Sequence, residues 1–246
     1  MGILNVTPDS FSDAGRFEKE DIVDVARQML RDGATVLDIG GEASGPGSVD
    51  VSLDEELQRV IPAVKSIRRA LPEVIISVDT WKSEVAEAAL EVGANWINDV
   101  TAGRGDERIF EVVARFGAPL ILMYSKDPTA RTTKEAKTYE DVVATIKSFL
   151  KERIALAESY RVKEIIIDPG MGGFISSIPD YSFEIIDRIE EFYDLGKPIL
   201  VGASRKGFLG EDRLGGTLAV TLQLRNKVDY LRVHDVYENV TSAELN

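Results

Sequence analysis

Glu164-Ile-Ile-Ile-Asp-Pro-Gly-Met-Gly172 is a short β-branched run that stops at an aspartate and a Pro-Gly turn. Its isoleucines show no polar alternation, as in a parallel strand buried on both faces. The same pattern recurs along the chain. The sequence predicts eight strands, at Ile3–Val6, Thr35–Ile39, Val74–Val78, Trp96–Asp99, Pro119–Met123, Glu164–Ile167, Pro198–Val201 and Tyr230–Val233. Helices are expected near Asp21–Arg31, Leu53–Ala70, Lys82–Val92, Glu107–Phe116, Tyr139–Tyr160, Pro179–Tyr193 and Gly216–Lys227, with Ser52 and Glu55 as a capping box on the second. Regular alternation implies parallel strands with helical crossovers. Eight repeats point to an α/β fold closed as a (β/α)8 TIM barrel, with a doubly wound open sheet as the alternative. No linker or composition shift divides the chain, so residues 1–246 read as a single domain, near the roughly 250 residues usual for one such barrel. Val236–Asn246 looks short for an eighth helix, which leaves open whether the barrel floor is plugged.

Composition narrows the function. Lys and Arg number 29 against 42 Asp and Glu, a net charge of −13, which argues against nucleic acid or an anionic membrane as a partner. With no cysteine and one histidine, disulfides, thiolate metal sites and multi-imidazole sites are excluded. No apolar run approaches the roughly 18 residues of a membrane span. Met1–Val6 carries no basic segment followed by an apolar one. The expectation is a cytoplasmic protein.

Polar residues fall at strand ends. Strand one runs into Asn5-Val-Thr-Pro-Asp-Ser-Phe-Ser-Asp13, strand two into Asp38-Ile-Gly-Gly-Glu42, strand three into Asp79-Thr80 and strand four into Asn98-Asp99. Strand six ends in Asp168-Pro-Gly170, seven in Ser204-Arg-Lys206 and eight in Arg232-Val-His-Asp235. In a barrel these ends converge on the face where active sites of the fold lie. Each has a plainer reading alone: Asp38 or Asp79 as a helix cap, Asn98 as a loop tie, Asp168-Pro-Gly as a turn, Arg205, Lys206 and Arg232 as solvated charges, His234 as structural. Together they read as a lined pocket. Asp79, Asn98 and Asp168 suit the N–H rim of a flat heterocycle, which a fixed carboxylate discriminates strongly. Arg205, Lys206, Arg232 and His234 gather in the usual phosphate corner of the fold.

At these residues a resemblance appears. Met1-Gly-Ile-Leu-Asn-Val-Thr-Pro-Asp-Ser-Phe-Ser-Asp13, Asp38-Ile-Gly-Gly-Glu42, Ser77-Val-Asp-Thr80, Ile97-Asn-Asp-Val100, Asp168-Pro-Gly-Met-Gly172, Ser204-Arg-Lys206 and Arg232-Val-His-Asp235 resemble, in order, the signatures of dihydropteroate synthases. The resemblance implies a transferase of folate biosynthesis that joins a dihydropterin methyl diphosphate to 4-aminobenzoate. It implies a pterin site of Asp79, Asn98, Met123, Asp168, Lys206 and Arg232, and a diphosphate site of Asn5, Arg232 and His234, with Asn5 ligating Mg2+. The amine would meet Phe11, Ser44, Pro46, Lys206 and Gly207. Asp79, Asp168, Lys206 and Asp13 would serve catalysis, and the protein would be a homodimer.

The sequence departs from the family at the second substrate. Gly41-Glu-Ala-Ser-Gly-Pro-Gly47 has Gly45 where arginine is usual, Tyr124-Ser125 replaces a histidine, Gly172-Gly-Phe-Ile-Ser-Ser177 differs from the common form, and Gly207 stands for serine. Alternatives are a synthase taking a larger, methanopterin-type aminobenzene, a corrinoid-linked methyltransferase, or a non-catalytic pterin-binding barrel. The methyltransferase fits less well, since methyl transfer has no diphosphate to hold.

Overall fold

Among the described residues of the computed structural model (1–6, 19–45 and 47–244, with 19–21 as backbone only), eight strands alternate with eight α-helices. They run β1 (Gly2–Asn5), α1 (Lys19–Arg31), β2 (Val36–Gly40), α2 (Leu53–Ala70), β3 (Ile75–Asp79), α3 (Ser83–Glu91), β4 (Trp96–Asp99) and α4 (Arg108–Phe116). The second half runs β5 (Leu120–Met123), α5 (Val142–Ser159), β6 (Ile165–Asp168), α6 (Asp180–Asp187), β7 (Leu200–Val201), α7 (Arg213–Leu224), β8 (Tyr230–Leu231) and α8 (Val236–Glu244). Strands β1 to β6 pair in chain order and β7 pairs with β8, all parallel. Bridges Ile167–Ile199 and Gly2–Val233 join the two groups at both seams. Ile167 N donates to Pro198 O, and Val233 N to Met1 O, each at 2.9 Å. The circuit closes, and the open sheet is excluded.

Three helices, α2, α5 and α7, start at a side-chain cap. Ser52 Oγ accepts from Glu55 N at 3.3 Å. The expected box is only half formed, because the Glu55 carboxylate turns to Arg59 instead. Asp141 caps α5 through Ala144 N, which delays a helix expected from Tyr139. Asp212 caps α7 through Gly215 N and starts it three residues before the expected Gly216. The stretch expected as one helix over Pro179–Tyr193 splits into α6 and a 3-10 segment, Ile189–Leu195. Nine residues from Val236 do form an eighth helix, contrary to expectation.

The pleat positions the site. Side chains two apart on a strand share a face. Met1, Val36, Ile121, Ile166 and Leu200, with Trp96 and Tyr230 against them, form a separate apolar cluster that plugs the barrel floor. Two residues onward on the same face stand Asp38, Asn98, Met123, Asp168, Gly202 and Arg232. Residues of opposite parity, such as Leu37, Leu120, Leu122, Ile165 and Ile167, belong to the main core against the helices. The strands are thus buried on both faces, with a dry floor and a polar mouth.

Candidate active site

Asp38 is the hub of the mouth. Its side chain is fully buried, and its Oδ2 accepts from Arg232 Nε at 2.6 Å and Asn98 Nδ2 at 3.1 Å. Arg232 Nη2 also donates to Asp79 Oδ2 at 2.7 Å. One guanidinium thus ties β2, β3 and β8 together across the barrel. The plainer reading of Asp79 fails, since Lys82 stands at the N-cap of α3 and makes no side-chain cap. For Asp168 both readings hold: its Oδ1 accepts from Gly170 N at 2.7 Å, making the turn, while the residue lines the chamber.

Asp79, Asn98, Met123, Asp168, Lys206 and Arg232, the six residues expected at the pterin, border one small chamber of about 70 Å³. Burial pushes the Asp168 carboxyl up to about 6, against the pull of the Gly170 N–H, Lys206 and Arg232. Burial likewise drives Asp79 up to about 7, opposed by Arg232. Burial lowers the Lys206 ammonium to about 8, with Asp168 pulling the other way. Lys206 Nζ sits 4.4 Å from the ring centroid of Phe174, a cation–π contact that steadies it.

A second chamber, about 310 Å³, is bordered by Asn5, Ser204, Arg232 and His234. The expected cluster of four cations needs correcting here. Arg205 has a left-handed backbone, φ 57°. Its side chain forks onto Asp235, with Nε 2.8 Å from Oδ2. Arg232 spends two donors on Asp38 and Asp79. Burial, with Arg232 and Arg205 nearby, holds His234 down at about 4, so its imidazole is neutral at pH 7. Ser204 Oγ accepts from His234 N and lies 3.0 Å from the ring Nδ1. The corner would therefore meet an anion with hydrogen bonds, the remaining Arg232 N–H donors and the Lys206 ammonium. Asn5 contributes one hard oxygen, and no group of three His, Cys, Asp or Glu able to hold a metal occurs among the described residues. That donor set suits Mg2+ of the kind that keeps water and phosphate ligands rather than one caged by protein.

A third, outer cavity of about 610 Å³ includes Gly45, Phe174, Lys206 and Gly207. Lys206 and Gly207, two of the residues expected at the amine, line this cavity. Ser44 does not reach this cavity; it borders the two inner chambers, and Gly45 takes its place outside. Phe11, Asp13 and Pro46 lie outside the described residues.

A strap crosses the second loop beside Gly45. Thr132 N donates to Ser44 O at 3.2 Å and Thr132 Oγ1 to Gly173 O at 2.5 Å. Arg131 pairs with Glu42 and with Asp50. Glu42 in turn accepts from Lys82 Nζ at 2.6 Å. Tyr124, where the family's histidine is usual, is a core residue, edge-on to Phe149 and 3.2 Å from the Tyr139 hydroxyl. Asp99 is structural too, accepting from Thr101 N and Gly103 N in its own turn.

Comparison with known proteins agrees with this geometry. The family described as pterin binding enzyme matches residues 1–234. The dihydropteroate synthase of Clostridium beijerinckii is 38% identical over 257 residues, covering 100% of this chain and 91% of that one. The chain belongs to the dihydropteroate synthases, a family of pterin-binding transferases. Solved structures of the family superpose closely. The dihydropteroate synthase of Clostridium difficile, determined in the presence of pteroic acid, gives a TM-score of 0.89 at 40% identity, covering 98% of this chain and 92% of that one. That of Xanthomonas albilineans with 4-aminobenzoic acid gives 0.89 at 37% identity, covering 98% and 89%. Two site residues of this dihydropteroate synthase fold escaped the sequence reading. Asp38 signalled itself as an acid inside an apolar strand, Val36-Leu-Asp-Ile-Gly40, but read equally as a cap. Phe174 follows two glycines in a segment that departs from the family form and carried no positional signal.

Proposed function

We propose that the barrel joins the methylene carbon of a 7,8-dihydropterin-6-ylmethyl diphosphate to the amine of 4-aminobenzoate, giving 7,8-dihydropteroate and pyrophosphate. The observation that carries this reading is that Lys206 and Phe174 border all three chambers. A heterocycle in the inner chamber, its diphosphate in the second and an aromatic amine in the third would meet at one point. Asp168 and Asp79 accept ring N–H groups, with the Asn98 amide beside them. Asp38 holds Arg232 and Asn98 in place. The C–O bond to the diphosphate breaks and pyrophosphate leaves with the electron pair. The positive charge left on the pterin methylene is stabilised by the two carboxylates, and the amine nitrogen attacks it. No side chain acts as a nucleophile. Arg232 and His234 receive the leaving anion. Asn5 would help hold Mg2+, which would supply charge neutralisation of the diphosphate.

The reading places the enzyme in the cytoplasm; among the described residues no helix is long and apolar enough to cross a membrane. It also includes a homodimer. Leu214 and Leu222 of α7 and Tyr237 of α8, 39%, 43% and 61% exposed, offer an apolar surface for one. Pyrophosphate release that requires the pterin diphosphate, the amine and Mg2+ together tests the function. Release without amine, or none at all, counts against it.

A further inference from the structure

The outer cavity is larger and more cationic than 4-aminobenzoate requires. Its volume, about 610 Å³, lies in the range of sites that enclose whole drug-sized ligands, roughly 300–1,000 Å³. Lys134, Arg205, Lys206 and Arg213 border it, and no described Asp or Glu does. In a chain of net charge −13 this is a local reversal of sign. Arg205 is held by Asp235, and Lys206 serves the inner chambers. Among the described residues the Arg213 side chain makes only a long contact, 3.5 Å, to Arg205 O, and Lys134 pairs with no carboxylate. Cations along a concave wall focus their potential into it.

Two glycines set the cavity's reach. A Cβ built on Gly45 or Gly207 meets nothing within 4 Å, and neither backbone is in the left-handed region. The chain conformation needs glycine at neither position. What each supplies is space, one on the second loop and one beside Lys206.

We propose that this cavity selects aromatic amines whose para substituent runs past the ring and ends in a further anion, carboxylate or phosphate, held by Lys134 and Arg213. The inference rests on the reading above and leaves its bond changes as they are: the amine nitrogen bonds to the methylene carbon, pyrophosphate departs and the nitrogen loses a proton to water. It names the acceptor class for which the outer wall is built.

The test is steady-state kinetics at saturating pterin diphosphate and Mg2+ with four amines. These are 4-aminobenzoate, 4-aminobenzoylglutamate, an aniline whose para chain ends in phosphate, and a neutral para-amide of matching length. Relative to 4-aminobenzoate, at least one extended anionic amine should exceed the neutral one in kcat/KM by about tenfold, an advantage that shrinks in high salt. Which of the two gains identifies the anion. Replacing both cations, Lys134→Ala with Arg213→Ala, should lower the ratio of extended anionic amine to 4-aminobenzoate about tenfold. Gly45→Leu should lower that ratio for charged and neutral extended amines alike. Equal use of neutral and anionic extended amines, or a ratio unmoved in the double variant, overturns the proposal. If 4-aminobenzoate is still turned over in that case, only the outer subsite falls. No pyrophosphate from any amine sinks the reading beneath it and the subsite together.

Discussion

Replacing Asp168 by asparagine should move folding stability and ligand binding in opposite directions. Asp168 is 5% exposed, and burial lifts its carboxyl from 3.8 to about 6. A carboxyl raised in the folded state favours the fold at low pH and loses that contribution as pH rises through its folded value. At 1.36 kcal/mol per pH unit, the charged form costs the empty fold about 3 kcal/mol above pH 7. Asparagine removes that cost and keeps an oxygen to accept from Gly170 N. Part of the gain is returned, because the buried Lys206 ammonium loses a carboxylate neighbour. The net expectation is a gain of about 1–2 kcal/mol at pH 8, a few degrees in Tm for a chain of this size. The gain should shrink through pH 6 and vanish near pH 4, where aspartic acid and asparagine are alike. Pterin binding should weaken by about 2–4 kcal/mol, since a fixed amide cannot accept from two ring N–H groups. Calorimetric unfolding across pH and titration with a pterin analogue read the two effects. A variant less stable at pH 8, or one that binds the analogue as tightly as the parent, would refute the argument.

The other predictions follow from the same network. Asp38→Asn should weaken the hold on Arg232 and Asn98, cost about 3–5 kcal/mol as a broken buried pair and lower the urea midpoint; an unchanged midpoint would show that the hub is not structural. Arg232→Lys keeps a charge between Asp38 and Asp79 but loses the planar fork, so pyrophosphate affinity should fall about tenfold while the fold survives, as read by calorimetry and circular dichroism. Arg131→Ala releases Glu42 and the strap over the second loop, which should raise KM for the amine severalfold and leave KM for the pterin diphosphate unmoved. The pH profile of kcat/KM for the pterin diphosphate should rise through about 6 to 7 as Asp168 and Asp79 ionise, and decline above about 8 as Lys206 loses its proton; a flat profile from 5 to 9 would remove these groups from binding.

The barrel was legible because apolar strands and amphipathic helices repeat without a break. The floor and the mouth were legible only in part. Strand length does not reveal that Tyr230 and Arg232, or Ile166 and Asp168, share a face in opposite environments; closure of the barrel does. Asp168 and Asp79 stood out because their strands end on them, and Asn98 because it stands one residue before the end of its strand. Arg205 misled because it is next to Lys206 in sequence. Its left-handed backbone turns the side chain away to Asp235. His234 misled because its charge depends on burial and on two arginines brought from elsewhere in the fold. The Arg131 strap was invisible, since 89 residues separate it from Glu42.

The most direct test of the account is a crystal structure of the protein with a pterin methyl diphosphate, Mg2+ and an unreactive 4-aminobenzoate analogue. The account predicts ring N–H groups on Asp168 and Asp79 beside Asn98, the diphosphate at Asn5 and His234, the analogue beyond Phe174 next to Gly207, and Lys206 touching all three. A pterin bound outside the Asp168 chamber, or an analogue on the far side of the barrel from Lys206, would contradict it.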